Sequence, residues 1–121
     1  MDIRSLPKVV LHDHLDGGLR VETILELADE SGYSALPARE AHALTDWFDQ
    51  GRSGSLERYL QAFEHTVAVM NTESAIQRVA YEAGVDLAEQ GTVYAEIRFG
   101  PSLHMSHGLT REAAIEAVLD G

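Results

Sequence analysis

Residues 12 to 18 read His-Asp-His-Leu-Asp-Gly-Gly and follow directly on the apolar run Val9-Val10-Leu11. Two imidazoles and two carboxylates within five residues are an unusual way to finish an apolar segment. In an extended strand alternate residues share a face, so Val10, His12 and His14 point one way and Val9, Leu11 and Asp13 the other. Two neutral imidazoles a strand period apart can chelate one divalent ion, and zinc takes nitrogen donors of this kind. A catalytic zinc keeps one position open for water and brings the pKa of that water to about 7. Gly17 and Gly18 let the backbone turn sharply and come close to a ligand. A bare His-x-His is also what two unrelated surface histidines look like. The apolar strand before this pair, and the carboxylate and glycines after it, favour a metal site.

The composition narrows what such a site can be. The 121 residues are enough for one small domain with a core. They are 45% hydrophobic and 24% charged, an ordinary balance for a soluble globular protein. Nine Lys and Arg against 20 Asp and Glu leave a net charge of −11. That argues against nucleic acid or an anionic membrane as partner, since both need a basic face. With no cysteine, disulfides, thiolate nucleophiles and Cys-ligated zinc are excluded, and any metal falls to His, Asp or Glu. The opening MDIRSLPK has no apolar signal core, and no apolar run approaches a membrane span. A cytoplasmic location is the expectation.

Periodicity supplies the elements that must position the site. Leu6-Pro7 reads as an extended lead-in, and Val9 to Leu11 as a short buried strand ended by Gly17-Gly18. Val21, Ile24, Leu25 and Ala28 predict an amphipathic helix stopping near Ser31-Gly32. Residues 38 to 50 read as a weaker helix with Leu44, Trp47 and Phe48, and residues 50 to 55 as a turn-rich, mobile break. Ser55 caps a helix with Leu56, Tyr59, Leu60, Phe63, Val67 and Met70 on one stripe. Asn71 or Thr72 caps the next, with Ile76, Val79, Ala80, Ala83 and Leu87 inward, ending at Gln90-Gly91. A second strand, Thr92 to Phe99, is broken by Gly100-Pro101. Thr110 caps a last helix with Ala114, Ile115, Val118 and Leu119 apolar. Two buried strands separated by helices suggest the opening of a parallel α/β sheet. Two strands alone do not stabilise such a sheet, so the chain reads as the first part of something longer.

Residues 6 to 20, LPKVVLHDHLDGGLR, closely resemble the opening of the adenosine deaminases, which runs approximately LPK-x-x-LH-x-HLDG-x-L-R. VYAEIRFGP, residues 93 to 101, is similar to that family's second-strand pattern of Tyr-x-Glu-x-Arg-Phe/Tyr followed closely by Pro. The helix with SLERYL and Phe63 resembles the family's helical insertion between the first two strands. The resemblance runs in order through essentially the whole chain. It implies a (β/α)8 TIM barrel of the metal-dependent hydrolase (amidohydrolase) type, with its active site at the carboxyl ends of the strands. Barrels of this kind need about 250 residues. Residues 1–121 then hold the N-terminal part of one deaminase domain: the first two barrel strands and the insertion between them.

By the family's pattern His12 and His14 are zinc ligands, with one Zn²⁺ per complete active site. His14 also lies against the substrate, and Asp16 hydrogen-bonds the ribose 5′-hydroxyl. Related adenine deaminases tend to carry HLEG, so the shorter Asp16 points to a purine nucleoside over a free base. The implied reaction is hydrolytic deamination of adenosine to inosine and ammonia, with zinc-activated water attacking C6 of the purine. It is distinct from the Cys-ligated base deaminases, whose signature requires cysteines. The third zinc His, the zinc Asp, the Glu that handles protons and a further His come from later strands in the family. No general acid or base is therefore assigned here, and the 121 residues alone are expected to be inactive. Two other readings stay open: a deaminase of adenine or a modified adenosine, and a non-catalytic binding module derived from a barrel.

Other residues invite weaker readings. His104 and His107, spaced His-x-x-His, could sit at a barrel mouth, but the segment from Pro101 to Gly108 reads first as a surface loop. His42 and His65 read as solvated or partly buried helix residues. Glu96 and Arg98 share a strand face with Tyr94. They either steady the site or form a structural ion pair inside the barrel, and the second is preferred. Tyr59 and Phe63 are core residues first, although Phe63 can line an apolar wall of the pocket. Asp46 and Asp49, near Trp47, read as a solvated face.

Overall fold

A computed structural model describes residues 2–50 and 54–121 of the chain. The break expected over residues 50–55 falls, at 51–53, outside the described residues. After a 3-10 turn at Ile3–Ser5 come strand β1 (Lys8–His14), a 3-10 turn at Leu15–Gly17, and helices α1 (Val21–Ser31), α2 (Ala41–Gln50), α3 (Leu56–Val69) and α4 (Glu73–Glu89). Strand β2 (Thr92–Arg98), a 3-10 turn at Pro101–His104 and helix α5 (Arg111–Asp120) follow. The two strands pair in parallel, with all four intervening helices in the crossover between them.

The helix ends sit where their caps place them. Ser55, Thr72 and Thr110 each accept a backbone N–H three residues on, at 3.5, 3.2 and 3.1 Å. Gly32 closes α1 in the left-handed region at φ 71°, which glycine enters without steric cost. Helix α2 starts later than the expected residue 38. Glu40 decides this by capping with its carboxylate, which accepts from His42 N at 2.9 Å and Ala43 N at 3.0 Å. Those two donors hold the Glu40 carboxyl below its ordinary pKa.

The core lies among the helices. Ile24 and Leu27 of α1, Leu44 of α2, Val69 and Met70 at the end of α3, and Ile76 of α4 are buried together. A polar latch ties α1 to α4. Arg20 donates to the Asp86 carboxylate at 2.6 to 3.1 Å, and Arg78 bridges Glu26 at 2.7 Å and Glu82 at 2.9 Å. At the amino end of the sheet, Lys8 Nζ donates to three carbonyls, of Arg4, Leu6 and Gln90, at 2.8 to 3.1 Å. That clamp joins the lead-in of β1 to the turn from which β2 starts.

Burial departs from the sequence reading in three places. The strand expected to be buried is open: Val9 and Leu11 are 60% and 62% exposed, and Val93 and Tyr94 of β2 are 71% and 54% exposed. The apolar stripe of α3 is buried only at its C-terminal end, while Leu56, Tyr59 and Leu60 are exposed. On α5, Ala114 and Ala117 are buried, but Ile115 and Leu119 face outward. The reason is common to all three: apolar periodicity specifies a face, and burial requires a neighbour on that face. A two-stranded sheet packed against α4 supplies too few neighbours.

Exposed apolar surface of this extent marks an association surface. The 121-residue chain is therefore expected to bind the dye ANS and to self-associate as its concentration rises. Val9→Thr with Leu11→Thr should lower both the dye fluorescence and the light scattering; a double variant indistinguishable from the parent would locate the sticky surface elsewhere.

Candidate functional site

The carboxyl end of β1 is built around an irregularity. Val10 pairs with Ala95 and Asp13 with Ile97, so β1 spends three residues where β2 spends two. The extra residue is accommodated at His12, which adopts φ 59° and is the one non-glycine residue in the left-handed region among those described. Such a bulge bends the strand and re-aims a side chain. Here the His12 and His14 rings lie 5.3 Å apart, centre to centre. The two imidazoles therefore converge as expected, but a bulge joins them and simple strand alternation does not.

Arg98, opposite His14 in the register, reaches His12, with Nη1 2.6 Å from Nε2 and 3.3 Å from Nδ1. A guanidinium only donates, so the His12 ring accepts. Glu96 is bonded elsewhere, accepting from the Tyr94 hydroxyl at 2.8 Å. The ion pair preferred for Glu96 and Arg98 is thus corrected: among the described residues none joins them, and Arg98 instead touches one of the two histidines. Two imidazoles with ring centres 5.3 Å apart are the donor chemistry that a divalent metal takes. No group of three or more His, Asp or Glu residues able to hold a metal is found among the described residues.

Asp16 follows on the turn Leu15–Gly17. Its side chain is buried, and Oδ1 has no hydrogen-bond partner among the described residues. Gly17 sits in close contact with α3: a Cβ there would stand 3.2 Å from Cζ of Phe63, and the ring would have to give by a few tenths of an ångström. The chain turns at Gly17-Gly18 as expected, in the 3-10 turn that Gly18 caps, and without a positive φ at either glycine. Phe63 presents its edge to His14, with ring centres 6.1 Å apart, and Tyr59 packs against Phe63 at 5.2 Å. Beside Gly17 a cavity of about 490 Å³ opens, walled by Leu19, Phe48, Tyr59 and Phe63 and edged by Asp49. That volume lies in the range of small-ligand pockets.

The remaining histidines separate clearly. His107 is exposed and bonded to the Ser106 hydroxyl at 3.1 Å. His42 is exposed, 3.7 Å from Asp46. His65 is half-buried, bonded to the Tyr33 hydroxyl at 2.9 Å and stacked edge-on with Trp47. The segment after β2 is at the surface as expected except at His104. That residue is wholly buried, and neither ring nitrogen has a hydrogen-bond partner among the described residues. Its one sequence signal is Pro101, which suits the first position of a helical turn. That turn curls His104 inward.

Comparison with known proteins places this architecture. Residues 7–121 match the family model described as adenosine deaminase, and the chain belongs to the adenosine deaminase family. An adenosine deaminase of Mycobacterium ulcerans is 58% identical over 120 residues, which is 98% of this chain and 33% of the relative. Adenosine deaminase 1 of Streptomyces coelicolor is also 58% identical, over 98% of this chain and 30% of its own. The chain thus spans about a third of the length of the curated relatives it matches. Among solved structures, an adenine deaminase from Arthrobacter aurescens superposes with a TM-score of 0.80 at 27% identity, covering 94% of this chain and 34% of that one. The apo N6-methyl-AMP deaminase of Arabidopsis thaliana gives 0.72 at 29% identity, covering 98% and 33%. No helix among the described residues is long and apolar enough to cross a membrane.

The two shielded histidines make stability depend on pH. Burial lowers the pKa of His65, with Glu64 opposing, and lowers that of His104, with the Met70 backbone and Asp16 opposing. Between the lowered folded values and the ordinary 6.5, the unfolded chain binds more protons than the folded one. Stability is therefore full above pH 6.5 and falls as pH drops through that value towards the folded pKa values. The urea midpoint should be lower at pH 5.5 than at pH 7.5, and His65→Gln should remove part of the difference. Equal midpoints at the two pH values would contradict the assignment.

Proposed function

We propose that residues 1–121 form the N-terminal part of a single (β/α)8 TIM-barrel domain. The complete protein would hydrolyse adenosine to inosine and deoxyadenosine to deoxyinosine, each with release of ammonia, in purine salvage in the cytoplasm. The observation that carries this reading is the convergence of His12 and His14 at the carboxyl end of a parallel strand, beside the buried Asp16. Active sites of such barrels lie at that end of the strands. The identity of 58% to adenosine deaminases, running through both strands and the helices between them, supports it.

His12 and His14 would hold zinc, supplying two of the three protein ligands usual at a catalytic site. Zinc bound there contributes Lewis acidity that makes water nucleophilic near neutral pH. His14, whose ring faces Phe63, would also border the substrate. The Asp16 carboxylate accepts hydrogen bonds only and suits the ribose 5′-hydroxyl as donor. Tyr59 and Phe63 form an apolar wall that excludes water from the purine. This chain supplies binding and orientation; proton-transfer residues belong to the rest of the barrel, and the 121 residues alone are inactive. The partner is a small purine nucleoside, and the net charge of −11 disfavours nucleic acid. A second reading, deamination of adenine, is favoured by the likeness to the adenine deaminase from Arthrobacter aurescens.

Metal analysis and calorimetry on the chain should find weak zinc binding that His12→Ala with His14→Ala abolishes. Tight binding of one zinc per chain would mean that other residues complete the site, and the reading would fall. In the complete protein Asp16→Glu should lower kcat/KM for adenosine roughly 10- to 200-fold, as a misfitted methylene does, and affect adenine far less. A parent protein that prefers adenine would sustain the second reading.

A further inference from the structure

Two buried side chains near the site lack partners. Asp16 is 4% exposed and His104 is fully buried, and neither Asp16 Oδ1 nor either ring nitrogen of His104 makes a hydrogen bond among the described residues. Each sits on a 3-10 turn at the carboxyl end of a strand, Leu15–Gly17 after β1 and Pro101–His104 after β2. Both turns pack against α3. The Phe99 ring lies 6.0 Å from that of His104. Burial lowers the His104 pKa, and the Met70 backbone and Asp16 oppose it.

A buried polar atom without a partner is costly, and native proteins satisfy such atoms by pairing or by a bound water. A carboxylate only accepts, whereas a neutral imidazole carries one N–H, so a water-bridged link between these two groups starts at the His104 N–H and ends on Asp16. We infer that His104 is a positioning residue for substrate recognition. Its ring N–H holds Asp16 Oδ1 through one bound water, and so aims the other carboxylate oxygen at the ribose 5′-hydroxyl. This rests on Asp16 being the ribose contact proposed above.

The test uses the complete enzyme with adenosine and with 5′-deoxyadenosine, which lacks that hydroxyl. The parent should prefer adenosine. His104→Leu should lower kcat/KM for adenosine about 10- to 100-fold and change 5′-deoxyadenosine by no more than about threefold, since a site built to hydrogen-bond a hydroxyl loses only that discrimination. His104→Gln retains an N–H donor and should recover most of the preference, and zinc content should be equal in all variants. A preference unchanged in His104→Leu, or a parallel loss on both substrates, overturns the inference.

A second measurement is independent of catalysis and of whether His104→Leu folds. With ¹⁵N-labelled histidine, His104 should give a neutral ring whose signals move in Asp16→Asn; signals that stay put overturn the inference. A parent protein that makes no distinction between the two nucleosides defeats the ribose-contact reading instead. The labelled ring then still reports whether His104 and Asp16 are linked.

Discussion

One extra residue in β1 governs the carboxyl end of the sheet. Because the ladder resumes only at Asp13 and His14, His12 is thrown into the left-handed region. For a residue with a Cβ this costs on the order of 1–3 kcal/mol, and it persists only where the surroundings over-determine it. Here the parallel pairing with β2 fixes both flanks of the bulge. The strained residue faces His14 and touches Arg98, so the strain is spent on bringing chemistry-bearing side chains of both strands to one place. Bulges recur beside active sites because they re-aim a side chain without disturbing the rest of a strand.

Stability and chemistry are kept in different layers. The buried apolar residues belong almost entirely to the helices, where α1, α2, α4 and the end of α3 close on one another. Their polar edges are satisfied too, by the Arg20–Asp86 contact and by Arg78 between Glu26 and Glu82. The strands contribute little to that core and carry their distinctive residues at one end. Gly17 links the two layers. Its missing side chain lets the Phe63 ring come against the turn that carries Asp16, so α3 sets the wall beside the motif.

Unsatisfied groups follow the same division. Of the four buried side-chain atoms without partners among the described residues, three belong to Asp16 and His104, on the two turns that leave the strands. The fourth, Thr92 Oγ1, lies at the opposite end of β2. Polar atoms left unpaired in a native fold need a reason, and a site that awaits a ligand is one. The cavity beside Gly17 places that space against the same turn.

Much of this was legible in the residues. The caps at Ser55 and Thr110, the glycine after α1 and both strands are local matters, decided within three or four positions of spacing. The cap at Glu40 leaves no sequence signal, because glutamate is rare in that role. The bulge at His12 was not legible, since nothing in Leu-His-Asp-His says how many residues β2 will oppose to it. Nor was the depth of His104, nor the exposure of Val9, Leu11 and Leu56. The sequence determined by itself which elements form and which residues can do chemistry, because backbone propensities and side-chain donors are properties of short segments. Only the tertiary structure decided which faces are covered and which polar groups lack partners. Burial and pairing are set by neighbours far along the chain, as Asp16 and His104 show.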